Sequence, residues 1–288
     1  MGRTESLTSS GLTTSPCLQS SGCEPWAGLR DVQAERALKP IPLKKVGIRG
    51  LKWPIAVMDK YRGVQHTVAE VSLYVELAPE KRAVHMSRFI EALKGLRRLT
   101  PRSMRRMLNQ LRNRLEAERA YIELKFTYFI WKRAPVTCRE APVAITAHLI
   151  ADTADKPGQL RIGVEVPVTL LCPCSKEISD RGAHNQRAVV KLMILTGTLI
   201  WFEELAELID SCASSPVYTL LKRPDERFVT HLAYDNPKFV EDIVRDISDI
   251  LGKDTRVKWY RVEVESAESI HAHQVYACLE VSSDDTNI

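Results

Sequence analysis

Twice along this chain, two extended runs lead into two amphipathic helical patterns and then two further extended runs, and that order leaves few folds open. In the first half, I-A-V-M around Val57 and H-T-V-A-E-V-S-L-Y-V-E-L read as strands, the second alternating well enough to bury one face. H-M-S-R-F-I-E-A-L-K-G-L aligns Phe89, Leu93 and Leu96 at helical spacing. Thr100 then stands as N-cap with Pro101 at the first helical position, and Met104, Met107, Leu108, Leu111 and Leu115 form a core stripe. The strands Y-I-E-L-K-F-T-Y-F-I-W and A-P-V-A-I-T-A-H-L-I-A close this half, and D-T-A-D-K-P-G carries the turn chemistry of a linker.

The second half repeats the order without repeating the residues. L-R-I-G-V-E-V-P-V-T-L-L and A-V-V-K-L-M-I-L read as strands, and L-I-W-F-E-E-L-A-E-L-I-D places Trp201, Leu205 and Leu208 or Ile209 on one helical face. In Y-D-N-P-K-F-V-E-D-I-V-R-D-I-S-D-I-L-G, Asn236 is expected to cap a helix that Pro237 opens and Gly252 stops, with Phe239, Val240, Ile243, Val244, Ile247 and Leu251 as its stripe. V-K-W-Y-R-V-E-V-E-S and H-A-H-Q-V-Y-A-C-L-E-V read as the last strands. Strand runs separated by a helix pair imply antiparallel hairpins with helices on one face, which is an α+β class. We expect a disordered tail over 1–30, a first module over 31–155 and a second over 156–288 that carries the chemistry. Long antiparallel sheets have exposed edges, and joining them between subunits into a barrel covers them, so an oligomer is expected.

Composition narrows the function classes. A length of 288 residues supports two modest domains with real cores, and 44% hydrophobic with 27% charged residues is ordinary for a globular protein. No apolar run approaches membrane-spanning length, and Met1 to Ser21 lacks a basic start followed by an apolar core, so a soluble, cytoplasmic protein with no membrane partner is expected. Seven cysteines, odd in number and widely spread, fit reduced thiols better than a disulfide framework. Cys17 and Cys23 in the tail have no further ligand nearby and read as plain thiols. The net charge of +5 sits mostly in R-R-L-T-P-R-S-M-R-R and the helix after it, interleaved with core positions. A solvated helix face, or one meeting an anionic metabolite, explains it without nucleic acid.

The chemistry is concentrated in V-P-V-T-L-L-C-P-C-S-K-E-I-S-D-R-G-A-H-N-Q-R-A-V-V, where an apolar strand gives way to Cys172, Cys174, Lys176, Glu177, Asp180, His184 and Arg187 around Gly182. One loop can fold Cys172 and His184 onto a single ion, and thiolate with imidazole suits a borderline-soft divalent metal. The bland alternative is a pair of buried thiols, since free cysteine is among the most buried residues; the surrounding polar residues favour the metal. Glu226, in L-L-K-R-P-D-E-R-F, reads as a charged loop residue that could add a carboxylate. His271 and His273 are two apart, so on a strand they project to one face, where paired imidazoles ligate metal or move protons near neutral pH. Glu241 is either a favourable charge near a helix N-terminus or a carboxylate for an amidine-like ring edge such as that of guanine; local pattern leaves both open.

Together, L-C-P-C-S-K-E-I-S-D-R-G-A-H-N-Q-R, L-K-R-P-D-E-R, N-P-K-F-V-E-D-I-V-R and E-S-I-H-A-H, with D-V-Q near the start and H-M-S-R-F in the first half, closely resemble the prokaryotic GTP cyclohydrolase type IB family over roughly residues 31–281. The resemblance implies two tandem tunnelling-fold modules, a homotetramer with active sites at subunit interfaces, and conversion of GTP and water to 7,8-dihydroneopterin triphosphate and formate, the first step toward tetrahydrofolate. It implies Cys172, His184 and Glu226 as metal ligands for zinc, manganese or iron, and Glu241 as the guanine anchor. It also implies Cys174 as a second functional thiol, with His271 and His273 near the ion as ligands or proton carriers. For the triphosphate, Lys176, Arg181, Arg187, Lys222 and Arg223 are candidate cations, surface solvation being the plain alternative for each.

Two rival readings make different demands. A tunnelling-fold nitrile reductase acting on a deazaguanine would use a cysteine nucleophile and NADPH, and has no need of His184 or the His-x-His pair. A non-catalytic, zinc-stabilised assembly protein would show a closed four-ligand site and unfold when its metal is chelated.

Overall fold

The computed structural model describes residues 30–96 and 98–282. The expected tail, with Cys17 and Cys23, lies outside the described residues. The first half comprises β1 (Leu43–Asp59), β2 (Gly63–Leu77), α1 (Met86–Lys94), α2 (Pro101–Leu115), β3 (Ala120–Arg133) and β4 (Glu140–Asp152). The second comprises β5 (Leu160–Leu171), α3 (Pro173–Ile178), β6 (Asn185–Thr196), α4 (Phe202–Cys212), β7 (Ser215–Pro216), α5 (Arg223–Asp235), α6 (Val240–Gly252), β8 (Val257–Ser266) and β9 (Val275–Ser282). No helix among the described residues is long and apolar enough to cross a membrane.

All strands join one antiparallel sheet in the order β1-β2-β3-β4-β5-β6-β8-β9, with the short β7 pairing beside the end of β5. The two halves meet where Thr146–Ile150 of β4 pair with Glu165–Arg161 of β5. Period-two alternation decides which face is covered: Ile122, Leu124, Phe126, Tyr128 and Ile130 of β3 are buried while Lys125, Thr127, Phe129 and Trp131 point away. The buried face receives Phe89 and Leu93 of α1 and Met104, Leu108 and Leu111 of α2 in the first half. In the second it receives Leu205 and Ile209 of α4 and Ile243, Val244 and Ile247 of α6. The result is the α+β architecture expected, a continuous sheet with its helices on one face.

Several elements differ from expectation. β1 extends far beyond I-A-V-M, pairing with β2 from Leu43↔Leu77 to Asp59↔Gly63. As an edge strand it tolerates Pro54 and a register shift between Ile48 and Leu51, where Gly50 takes φ +73°. R-P-D-E-R-F-V-T-H-L-A-Y-D is a helix, α5, and not a charged loop. Asn236 is therefore the C-cap of α5, and α6 begins only at Val240, where the Asp242 carboxylate accepts the Phe239 N–H at 3.0 Å. His271 and His273 lie in the bend between β8 and β9, because pairing with β8 starts only at Val275.

Candidate active site

The site grows from the end of the β5–β6 hairpin. β5 delivers Cys172 past Leu171, and Pro173 in the following turn opens α3 with Cys172 as its N-cap. The Cys172 sulfur accepts the Ser175 N–H at 3.4 Å, and the Ser175 hydroxyl accepts the His184 N–H at 3.1 Å. Cys172 N–H in turn donates to the His184 carbonyl at 3.2 Å. The intervening segment thus leaves the hairpin and returns to it, setting residues Cys172 and His184 opposite each other before Leu171↔Asn185 resumes the ladder.

Burial then fixes the imidazole. Gln186 follows His184 by two on an extended strand and shares its face, and its Oε1 lies 2.9 Å from His184 Nδ1. Gln186 Nε2 donates to Glu268 Oε1 at 3.0 Å, as does the Ser266 hydroxyl, while Glu268 Oε2 stands 3.8 Å from Nδ1. With its NH2 turned to the carboxylate, the Gln186 oxygen can only accept, so Nδ1 carries the proton and the lone pair sits on Nε2. A histidine with one ring nitrogen held by an acceptor keeps the other free to ligate a metal. Cys172 and His184 therefore fit a borderline-soft divalent ion.

The remaining residues are spread around this pair. Cys174 is exposed on α3. Lys176 reaches α5, its Nζ donating to the Tyr234 carbonyl at 2.6 Å and sitting 4.4 Å from the Tyr234 ring centroid, so in this chain it is engaged by protein. Arg187 is exposed on the face of β6 opposite Gln186, while Arg181, Lys222 and Arg223 are exposed on loops and helix ends. Glu241 is exposed in the first turn of α6, which is tied to the site by the Lys238 N–H donating to Leu171 O at 3.1 Å. The His271 and His273 rings stack 5.1 Å apart at 20°. They line an open depression of about 470 Å³ with Glu268, whose carboxylate belongs to the His184 network.

Glu226 stands apart. It is exposed in the first turn of α5, and eight residues of helix, about 12 Å of rise, separate it from the Tyr234 contact with Lys176. Among the described residues no three of His, Cys, Asp and Glu gather where they could hold one ion. The structure brings together Cys172 and His184 and joins the His271–His273 bend to them through Glu268; it does not bring Glu226 to them within one chain.

Gln186 escaped the sequence reading as a site residue, and Glu268 figured in it only as a neighbour of His271 and His273; the contacts of Asp225 escaped it as well. For Gln186 the signal was present, a polar residue two after a candidate ligand on a strand. Asp225 is completely buried among neighbours it reaches from a distant part of the sequence.

Residues 29–277 match the family model described as Type I GTP cyclohydrolase folE2. The chain belongs to this family. It is 52% identical over 252 residues to GTP cyclohydrolase FolE2 of Thermotoga neapolitana, covering 88% of this chain and 97% of that protein. It is 49% identical over 257 residues to GTP cyclohydrolase FolE2 of Thermosipho africanus, covering 89% and 98% respectively. Against the FolE2 of Dictyoglomus thermophilum the identity is 47% over 252 residues, covering 88% and 98%. Among solved structures, uricase from Arthrobacter globiformis aligns at a TM-score of 0.48 with 8% identity, over 85% of this chain and 95% of that one.

Proposed function

We propose that this FolE2 family member is a metal-dependent GTP cyclohydrolase that converts GTP and water to 7,8-dihydroneopterin triphosphate and formate, the entry step to tetrahydrofolate. The observation that carries the reading is the Cys172–His184 pair, set across one hairpin with Nδ1 of the imidazole occupied by Gln186. Cys172 and His184 would hold the divalent ion, with Glu226 contributed by a second copy of the chain, since within one chain it lies along α5 away from them. Such an ion supplies Lewis acidity, making hydroxide available near neutral pH.

The chain's own residues account for the rest. Glu241 accepts hydrogen bonds from the amidine edge of guanine, orienting the five-membered ring toward the hairpin. His271 and His273, close together in a solvent-accessible bend, move protons at the ring nitrogens as the imidazole ring opens and formate leaves. Cys174, exposed on α3 two residues after Cys172, would be a second functional thiol. Arg187 and Lys176 remain candidates for the triphosphate; Lys176 would have to exchange its Tyr234 contact for phosphate.

The test is turnover. Metal-depleted protein supplied with manganese, zinc or iron should convert GTP to a pterin that fluoresces after oxidation. Absence of product with every divalent ion tried overturns the proposal.

A further inference from the structure

Asp225 is a carboxylate with no exposed surface, in the first turn of a helix that otherwise buries only Ala233. Its Oδ1 accepts the Val136 and Thr137 N–H groups at 2.9 and 2.8 Å, and its Oδ2 accepts the Thr137 hydroxyl at 2.7 Å and the Lys222 N–H at 2.9 Å. Val136 and Thr137 belong to the turn between β3 and β4, in the other half of the chain. Burial opposes ionisation here, yet these donors more than offset it and hold the carboxyl below its ordinary range. An N-terminal helix residue needs one such bond, to Lys222, for capping. The three to the distant turn have another consequence.

Successive residues on a helix leave it about 100° apart, so pinning Asp225 into the β3–β4 turn sets the direction in which Glu226 departs. We infer that Asp225 is a positioning residue, clamping the start of α5 to the β3–β4 turn so that Glu226 is held ready for the metal site. The inference rests on the reading of Glu226 as a ligand. It makes the first half of the chain, which supplies none of the proposed ligands, responsible for aiming one.

Cobalt(II) titration of the metal-depleted full-length protein separates the possibilities. Asp225→Asn places an amide N–H against the Lys222 N–H, and Thr137→Val removes one donor without touching α5; each should weaken cobalt affinity about ten-fold. The Cys172 thiolate-to-cobalt absorption should persist, and kcat should fall with KM for GTP unchanged. Thr137→Ser, which keeps the hydroxyl, should restore wild-type affinity. A folded Asp225→Asn protein with wild-type cobalt affinity and spectrum overturns the inference, and if that variant does not fold, the same result for Thr137→Val does so. Glu226→Gln is the arm that tells the two readings apart. If it leaves cobalt affinity unchanged, the ligand assignment falls and the positioning role with it; if it weakens binding while the other variants do not, the positioning role alone falls.

Discussion

The hairpin end that carries Cys172 and His184 and the helix starts that carry Glu226 and Glu241 are built in opposite ways. At the hairpin, backbone and side-chain hydrogen bonds hold thiol, imidazole, amide and carboxylate in a half-buried network. At the helix starts, a neighbouring acidic residue caps the helix, Asp225 for α5 and Asp242 for α6, and the candidate carboxylate, Glu226 or Glu241, is exposed. The contrast teaches a division of labour. On the proposed reading, the hairpin would present two ligands unaided, whereas the exposed helix carboxylates would meet an ion or purine that another copy or the substrate brings.

That contrast can be broken most decisively at the ligands. Cys172→Ala or His184→Ala should abolish retention of metal through gel filtration and bring turnover below detection, whereas Glu241→Ala should retain metal. Losing charge-assisted hydrogen bonds worth about 1.5–3 kcal/mol each, Glu241→Ala should raise KM for GTP roughly 10-fold or more. Equal metal loss in all three, read by elemental analysis, would erase the distinction between the two regions. A smaller effect sharpens the hairpin side: Gln186→Leu removes the acceptor for Nδ1 and should cost about 10–100-fold in metal affinity with the fold intact. Unchanged affinity would mean that the imidazole is oriented by something else.

The smallest effect concerns the frame. Glu165 on β5 is pulled down to about 2, chiefly by its hydrogen bond with His148 and against the opposing effect of burial. A carboxyl depressed in the folded state contributes stability that is present above its ordinary value and lost as pH falls through the depressed one. The melting temperature should therefore decline between about pH 4.5 and pH 2 more steeply than in Glu165→Gln. Parallel curves would remove this pair from the account of β5.

Much of the frame was legible because alternation and stripes record burial directly. β3, β5 and β6 alternate as their faces demand, and the α2 stripe from Met104 to Leu115 is buried throughout. α5 was not legible, since it buries only Asp225 and Ala233 and so carries no apolar stripe. The misreading of Asn236 and Pro237 followed, because a break between two helices uses the same residues as a helix start. Cys172 and His184 stood out because one hairpin brings them together. The Gln186–Glu268 bond spans 82 positions and the Asp225–Thr137 bonds 88, and no local pattern encodes such pairs.

The central claim is that one chain supplies thiol and imidazole while a second supplies the Glu226 carboxylate. Co-expressing Cys172→Ala and Glu226→Ala protomers, each inactive alone, tests it directly. Mixed oligomers should regain GTP turnover, because some interfaces then pair an intact hairpin with an intact α5. Mixed oligomers that form but stay inactive would contradict the account.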